Sequence, residues 1–235
     1  MALPKINSTP SYAVTVPSTG QEVTFRPFLV KEQKTLLIAL ETQERKDMVR
    51  AICRTIRSCV EDELKGELTT FDVDYLFTKI RSKSVGETSE LLVECTECGH
   101  KNEVTVELDS VEVGDISSES SVQLTDEITL QMRYPTYEDF LQNPSIMEGG
   151  TATESLLELI MICIDSVMTE EERFAFRDES KEEIVAFVES MTTEQFDLIA
   201  QFVEKIPNIT STSRFSCANC NAENEKVFSG IDDFF

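Results

Sequence analysis

Two pairs of cysteines could bind a metal ion. Cys95 and Cys98 form one C-x-x-C pair, and Cys217 and Cys220 form a second. Each pair follows an extended apolar stretch and precedes a polar turn, an Asn-Glu dipeptide and a further strand-like segment, so the sequence contains a short internal repeat. Two such pairs supply the four thiolates of a tetrahedral zinc site with Zn–S distances of ~2.3 Å. We therefore predict that these four cysteines bind one structural zinc ion.

The separation of the two pairs is much longer than in a self-contained zinc ribbon. Such a ribbon has about 15–20 residues between its pairs, whereas 118 residues, from 99 to 216, lie between these. The entropy of loop closure grows only logarithmically with loop length, so a helical subdomain can be inserted in one ribbon. The pattern favours one shared site in a split zinc-ribbon-like β element, and two unrelated pairs remain the alternative.

Other chemistries of the C-x-x-C pairs are weaker interpretations. A thioredoxin-like pair needs a helix start that lowers a thiol pKa, whereas Glu94, Glu97 and a strand context would raise that pKa. Disulfides are disfavoured because the beginning of the sequence does not have the pattern of a secretion signal. Iron binding by the four thiolates and a site that stays empty remain open. His100 is a further candidate ligand, although four thiolates already complete the site.

The sequence has no pattern typical of catalysis. It contains one histidine and lacks the H-E-x-x-H, P-loop, dinucleotide-glycine and G-x-S-x-G motifs. A zinc ion with four thiolate ligands has no open position for water or a substrate. The other cysteines, Cys53, Cys59 and Cys163, lie on apolar faces of predicted helices and are interpreted as core residues. We therefore expect neither an enzyme nor a small-molecule substrate.

The elements that must position the cysteines predict an α+β fold. Alternating residues in Tyr12–Val16 and Glu22–Phe28, joined by a Pro-Ser-Thr-Gly turn, predict an N-terminal β-hairpin. Helical periodicity predicts helices over about Leu29–Thr42, Val49–Val60 and Phe71–Ser82. The first cysteine pair follows these helices, at a point where the hydrophobic period changes to that of strands.

Strand-like and helical patterns also succeed each other in the second half. Ser121–Leu124 and Ile128–Tyr134 are strand candidates, whereas Leu156–Met168 is apolar on nearly every side and predicts a buried central helix. Ser180 and Thr192 begin capping boxes, which predict two further helices. The segment around the second cysteine pair is strand-like again.

These patterns divide the chain into four segments. Residues 1–87 hold the N-terminal hairpin and a helical region, and residues 88–134 hold the first zinc-knuckle half with further strands. Residues 135–206 form a helical region, and residues 207–235 hold the second zinc-knuckle half and the C-terminal tail. In this arrangement one shared metal would clamp the helical region at both ends.

The charge is strongly acidic and unevenly distributed. The sequence has 44 acidic and 21 basic side chains, a formal net charge of −23, and residues 101–235 alone carry −21. Because phosphate-backbone binders need clustered Lys and Arg, direct nucleic-acid binding is not expected. The longest apolar stretch is too short to cross a bilayer, so no membrane partner is expected. A basic stripe on the second helix could dock an acidic partner or be a solvated helix face: Lys46, Arg50, Arg54 and Arg57.

Five segments resemble a T4-type bacteriophage baseplate protein family. They are Pro17–Gly20, Phe25–Ala39, Ser180–Ser190, Phe215–Cys220 and Gly230–Phe235, so the similarity spans essentially the whole chain. The resemblance implies a non-enzymatic component of the central baseplate hub of a contractile tail, or a factor that helps this hub assemble. Its partners would be other baseplate hub proteins. Its location would be the host cytoplasm during assembly, and the virion tail baseplate if it stays in the particle.

Three surfaces are candidates for contacts with hub proteins. They are the basic stripe, the N-terminal strand and the aromatic tail Phe234–Phe235. The two phenylalanines follow two acidic residues, which favours docking, whereas the alternative is a frayed terminus.

Two rival functions belong to other classes. One is a zinc-ribbon regulator that binds nucleic acid or a basic protein, and the acidic second half would repel a polyanion. The other is a thiol oxidoreductase, which requires a reactive cysteine of low pKa.

Overall fold

A computed structural model describes residues 9–118, 120–148 and 150–234. The chain forms two compact units. One comprises Met1–Gly114 together with Asn208–Phe235, and the other comprises Asp115–Pro207. The first unit therefore contains both cysteine pairs and is interrupted in sequence by the whole of the second.

Helices and strands are both present, which confirms the mixed α+β class. Within the described ranges, the strands β1 to β11 are Tyr12–Thr15, Glu22–Phe25, Thr88–Glu94, Lys101–Glu107, Glu112–Val113, Ser121–Gln123, Thr129–Met132, Ile164–Met168, Arg173–Ala175, Ile209–Ser216 and Glu223–Ser229. The helices α1 to α8 are Val30–Thr42, Arg45–Cys59, Thr70–Ser84, Tyr137–Gln142, Pro144–Glu148, Ala152–Cys163, Lys181–Glu189 and Thr193–Glu204. In the parts of the chain that the structure covers, no helix is long and apolar enough to span a membrane.

The first unit begins with the predicted hairpin and three helices. β1 and β2 pair antiparallel, and the turn between them contains Gly20 at φ 66°, a left-handed conformation that glycine adopts without strain. Helix α2 is amphipathic and buries Val49, Ile52 and Ile56, as its periodicity predicts. Thr69 caps α3 by accepting a hydrogen bond from the backbone N–H of Asp72.

Two long hairpins complete the first unit. β3 pairs with β4, and β10 pairs with β11 on one side and with β5 on the other, all antiparallel. Strand β4 alternates strictly, so Val104 and Val106 point into a core that also contains Ile209 and Phe228. This shared core fixes the two hairpins beside each other.

The C-terminal tail is part of that core, which corrects one predicted contact surface. Phe234 is fully buried and packs against Phe228 at a ring-centroid distance of 6.1 Å. Its carbonyl accepts a hydrogen bond of 2.9 Å from the Ser89 hydroxyl. Phe234 is therefore not exposed for a partner, because its ring fills the first unit's own interior; Phe235 lies outside the described residues.

The second unit is a four-stranded antiparallel sheet with helices packed against it. Its strand order is β6-β7-β8-β9. The core includes Leu130 from β7, Ile160 from α6 and Ile199 from α8, all completely buried. The predicted capping boxes at Ser180 and Thr192 are present at the beginnings of α7 and α8.

The predicted helix over Leu156–Met168 is wrong in its second part. Helix α6 ends at Cys163, and Ile164–Met168 is the central strand β8, paired with β7 and β9. Both faces of this strand are largely buried, and its residues do not alternate between apolar and polar, since Asp165 and Ser166 lie between Ile164 and Val167. The strand directly follows an apolar helix, so the sequence pattern resembles a continuation of that helix. The 135–206 region therefore contains strands as well as helices.

Candidate metal centre

The two cysteine pairs lie at the tips of the two long hairpins. Cys95 and Cys98 belong to the turn between β3 and β4, and Cys217 and Cys220 belong to the turn between β10 and β11. The β-register of each hairpin ends directly before and after its turn, at Glu94–Lys101 and Ser216–Glu223. Each cysteine turn therefore occupies the same position relative to the two strands that it joins.

Both turns have the same backbone hydrogen bonds. The N–H of Cys95 donates to the His100 carbonyl, and the N–H of Cys217 donates to the Ala222 carbonyl, each at 2.9 Å. The residue after the second cysteine closes each turn, because the N–H groups of Gly99 and Asn221 donate to the carbonyls of Cys95 and Cys217, also at 2.9 Å. The internal repeat of the sequence is thus a repeat of structure.

Gly99 and Asn221 both adopt the left-handed conformation that this turn needs. Their φ angles are 69° and 58°. Asparagine tolerates the left-handed region better than other residues with a side chain. The second turn therefore closes like the first, although asparagine replaces glycine.

The four sulfur atoms converge at the distances of a tetrahedral metal site. Cys95 Sγ lies 3.7 Å from Cys220 Sγ, Cys98 Sγ lies 3.7 Å from Cys217 Sγ, and all four lie within 4.8 Å of one another. Four thiolates at ~2.3 Å from a common zinc ion would be about 3.8 Å apart. These distances are far longer than a disulfide bond of about 2.05 Å, and all four cysteines are free. The cluster is thus compatible with a bound metal.

Two buried asparagines connect the turns through reciprocal hydrogen bonds. Asn102 accepts from the N–H of Ala218 at 2.9 Å, and its amide lies 3.7 Å from Cys217 Sγ as a donor. Asn224 accepts from the N–H of Thr96 at 3.0 Å, and its amide lies 3.5 Å from Cys95 Sγ. Each asparagine belongs to one hairpin and orients the turn of the other. The Asn-Glu repeat of the sequence contains these asparagines but does not by itself indicate this role.

The electrostatics of the cluster favour a cation at its centre. The backbone N–H of Cys220 is the main cause that lowers the pKa of Cys217 to about 6, although burial opposes it. The N–H of Ala222 would lower the pKa of Cys220, but the neighbouring sulfurs of Cys98, Cys217 and Cys95 raise it to about 12. Four sulfurs this close cannot all be charged without a compensating cation, and a bound metal ion removes that repulsion.

The other predicted residues lie outside the cluster. His100 is exposed and contributes its carbonyl to the first turn, and its side chain is not one of the four clustered ligands. Cys59 and Cys163 are completely buried, and burial is the main cause that raises the pKa of their thiols to about 11 and about 12. Cys53 is half-buried rather than fully in the core.

The cysteine turns differ in local structure from a thioredoxin-like pair, because each C-x-x-C segment joins two antiparallel strands and does not begin a helix. The expectation that Glu94, Glu97 and the strand context raise the thiol pKa is wrong. The backbone N–H of Cys220 lowers the pKa of Cys217. Burial raises the pKa of Cys95, but hydrogen bonds from the N–H groups of Cys98 and Glu97 outweigh it, so this pKa is also lowered. The fold and the site together define an α+β protein with a cluster of four cysteines across two hairpins, and with a second unit inserted in sequence between residues 114 and 208.

The comparison with protein families identifies the kind of protein. The sequence profile described as T4 bacteriophage base plate protein matches residues 9–235, nearly the entire chain. The chain therefore belongs to this family, and it is a structural protein of a phage baseplate. No curated protein sequence and no solved structure matches the chain.

Proposed function

We propose that this chain is a non-enzymatic component or assembly factor of the central hub in the baseplate of a contractile-tailed phage, stabilised by one zinc ion. Cys95, Cys98, Cys217 and Cys220 would be the ligands. The metal part of the proposal is supported by the convergence of four sulfur atoms from two turns that are distant in sequence. Cys95 Sγ lies 3.7 Å from Cys220 Sγ, and Cys98 Sγ lies 3.7 Å from Cys217 Sγ. Family membership supports the baseplate part.

The zinc would act as a cross-link between the beginning and the end of the first unit. The ligands of the two pairs are 119 to 125 residues apart across the closest sulfur pairs. A zinc ion supplies four strong bonds to thiolates that the unfolded chain does not hold together, so binding energy becomes folding energy. Both chain connections to the second unit belong to the unit that would hold the metal.

A structural rather than catalytic metal is proposed because the ligand set is complete. Four thiolates occupy all positions of a tetrahedral ion and leave none for water or a substrate. Zinc is proposed over iron because the site has no role in electron transfer in this interpretation, although thiolates bind both metals. The absorption spectrum of the purified protein distinguishes them, since zinc thiolates are colourless in visible light.

Metal analysis of the purified full-length protein tests the site. We expect one zinc ion per chain, and we expect cobalt substitution to produce the absorption of a tetrahedral thiolate complex. Without a chelator, the four ligand thiols should react slowly with a thiol reagent, and they should react quickly after chelation. A metal-free protein that stays folded, with all four thiols accessible, would contradict the proposal.

Cysteine variants supply the matched control. Cys217→Ser removes one ligand, and we expect it to lose most of the zinc. Cys53→Ser makes the same chemical change on helix α2, outside the cluster, and should keep one zinc ion per chain. Equal zinc loss in both variants would indicate general unfolding instead of a ligand role.

The hub role has a separate test. Tagged protein purified from infected cells should co-purify with baseplate proteins. Comparison of mature tails with assembly intermediates distinguishes a resident component from an assembly factor.

A gel shift with plasmid DNA at low salt tests the alternative function, a zinc-ribbon regulator that binds nucleic acid. Retardation that disappears when Arg50 and Arg54 are reversed in charge would favour the rival.

A further inference from the structure

Helix α1 has its large apolar side chains on the outside. The helix buries only Glu32 and Ala39. The exposed fractions of its aliphatic side chains, and of Leu29 just before it, are 79% for Val30, 61% for Leu40, 53% for Leu37, 51% for Ile38 and 43% for Leu29. A surface helix in a monomer normally has the opposite arrangement. We call these five residues the α1 apolar face.

The inner side of α1 has polar contacts and only one half-buried leucine, Leu36. Glu32 is buried and forms an ion pair with Arg26 at 2.9 Å, and it accepts a hydrogen bond of 2.9 Å from the N–H of Leu29. Ala39 is small, so the helix backbone can lie close to the rest of the unit. The α1 apolar face therefore adds little to the core of its own unit, and several large exposed apolar side chains on one side of a helix indicate an interaction site.

Two opposite charges lie on the α1 apolar face. Lys34 and Glu41 are both exposed and are seven residues apart. In an α-helix this separation places them about 20° apart around the axis and about 10.5 Å apart along it. Leu37 and Ile38 lie midway between them. From residue 34 to residue 41, the exposed side of the helix therefore has a positive charge, an apolar centre and a negative charge, and Leu29 and Val30 lie on the N-terminal side of Lys34.

We propose that the α1 apolar face binds the same face of a second copy of this chain, with the two helices antiparallel. A two-fold axis between Leu37 and Ile38 would bring these apolar residues together at the centre. It would also place Lys34 level with the partner's Glu41, and Glu41 level with the partner's Lys34. The contact is therefore self-complementary, as an interface between identical subunits requires.

Charge complementarity also selects the direction of the helices. A parallel pair would bring Lys34 next to the partner's Lys34 and Glu41 next to the partner's Glu41. Two like-charge contacts would then replace two opposite-charge contacts on the same apolar surface. The antiparallel pair buries Leu37 and Ile38 and pairs both charges at once, while Leu29 and Val30 lie beyond the end of the partner's helix.

Sedimentation of the zinc-loaded full-length protein tests the proposal. We expect reversible dimers to form at concentrations between about 1 μM and about 300 μM, the range typical of a small interface. Leu37→Glu should abolish the dimer. Lys34→Glu and Glu41→Lys should each weaken it by about tenfold, because each creates two like-charge contacts per dimer.

A mixture of the two charge-reversed proteins provides the decisive control. One chain then has two acidic residues on the face and the other has two basic residues, so both cross-helix contacts are attractive again. We expect the mixture to form heterodimers at least as strongly as the unmodified protein forms homodimers. Circular dichroism and zinc content of each variant should match the unmodified protein, since the changed residues are exposed.

Three results would overturn the proposal. The unmodified protein could stay monomeric over the whole range, which would leave the face to a different protein. The dimer could survive Leu37→Glu, which would place the contact elsewhere. The mixture of Lys34→Glu and Glu41→Lys could fail to restore association, which would exclude the antiparallel arrangement.

Discussion

Asn102 and Asn224 occupy equivalent positions in two hairpins, and each forms hydrogen bonds with the cysteine turn of the other hairpin. Each is four residues beyond the second cysteine of its own pair. Each accepts a backbone N–H and presents its amide to a sulfur across the interface. The hairpins are therefore joined by hydrogen bonds as well as by the sulfur cluster.

The first prediction concerns these asparagines. We expect Asn102→Ala and Asn224→Ala each to weaken zinc binding by about 10- to 100-fold, because residues that orient metal ligands have effects of this size. Competition with a chromophoric zinc chelator measures the affinity. Asn143→Ala removes an asparagine from the second unit, where its amide donates to the Asp139 carbonyl, and should leave the affinity unchanged. Unchanged affinity in both hairpin variants would contradict this role.

A second prediction concerns the left-handed backbone conformation that Gly99 and Asn221 share at equivalent positions of the two turns. Gly99→Asn should retain zinc, because Asn221 already supports the same turn at φ 58°. Gly99→Val should weaken zinc binding, because a β-branched side chain is strained at φ 69°. The open space around Gly99 means that backbone strain and not a steric clash is tested. Equal zinc retention by both variants, measured by metal analysis, would exclude this explanation.

A third prediction concerns the pH dependence of stability. Burial raises the pKa of Glu32, but hydrogen bonds from Arg26, the Leu29 N–H and Lys31 outweigh it, so this pKa is lowered overall. The unfolded state therefore binds a proton more readily than the folded state does. Glu32 contributes its full stabilisation at pH values above its ordinary pKa of about 4.5, and this contribution is lost progressively as the pH falls through its lower pKa in the folded state. Glu32→Gln should therefore destabilise the protein more at pH 7 than at pH 4.

Urea unfolding at both pH values measures this difference. Glu90→Gln, an exposed position on β3, serves as the control and should have little effect at either pH. If the loss of stability in Glu32→Gln does not depend on pH, the ion pair with Arg26 is not its cause.

The fourth prediction concerns the C-terminal tail. Phe234→Ala should lower the free energy of unfolding by about 3–5 kcal/mol, because it removes a completely buried aromatic ring from the first unit. Val227→Ala, which shortens a side chain that is 52% exposed on β11, should cost less than about 0.5 kcal/mol. Urea unfolding compares the two. A stability loss for Phe234→Ala no larger than that of the control would show that the tail is dispensable for the fold.

Much of the fold follows from local patterns that tertiary contacts do not override. The hairpin around Gly20, the amphipathic helix α2 and the caps at Ser180 and Thr192 each depend on neighbouring residues, and the structure has all of them. The central strand Ile164–Met168 could not be recognised in this way, since it lacks alternation and directly follows the apolar helix α6. This segment is a strand because it pairs with β7 on one side and with β9 on the other.

Some features of the candidate site likewise follow from local sequence, and others depend on tertiary contacts. The two-residue spacing determined by itself which cysteines could act as a pair, because a tight turn is a local structure. Only tertiary structure decided that Cys95 comes within 3.7 Å of Cys220, that Asn102 reaches Cys217, and that Phe234 lies in the core. These contacts join residues more than a hundred positions apart, and their geometry depends on the packing of two hairpins around one core, which no short stretch of sequence encodes.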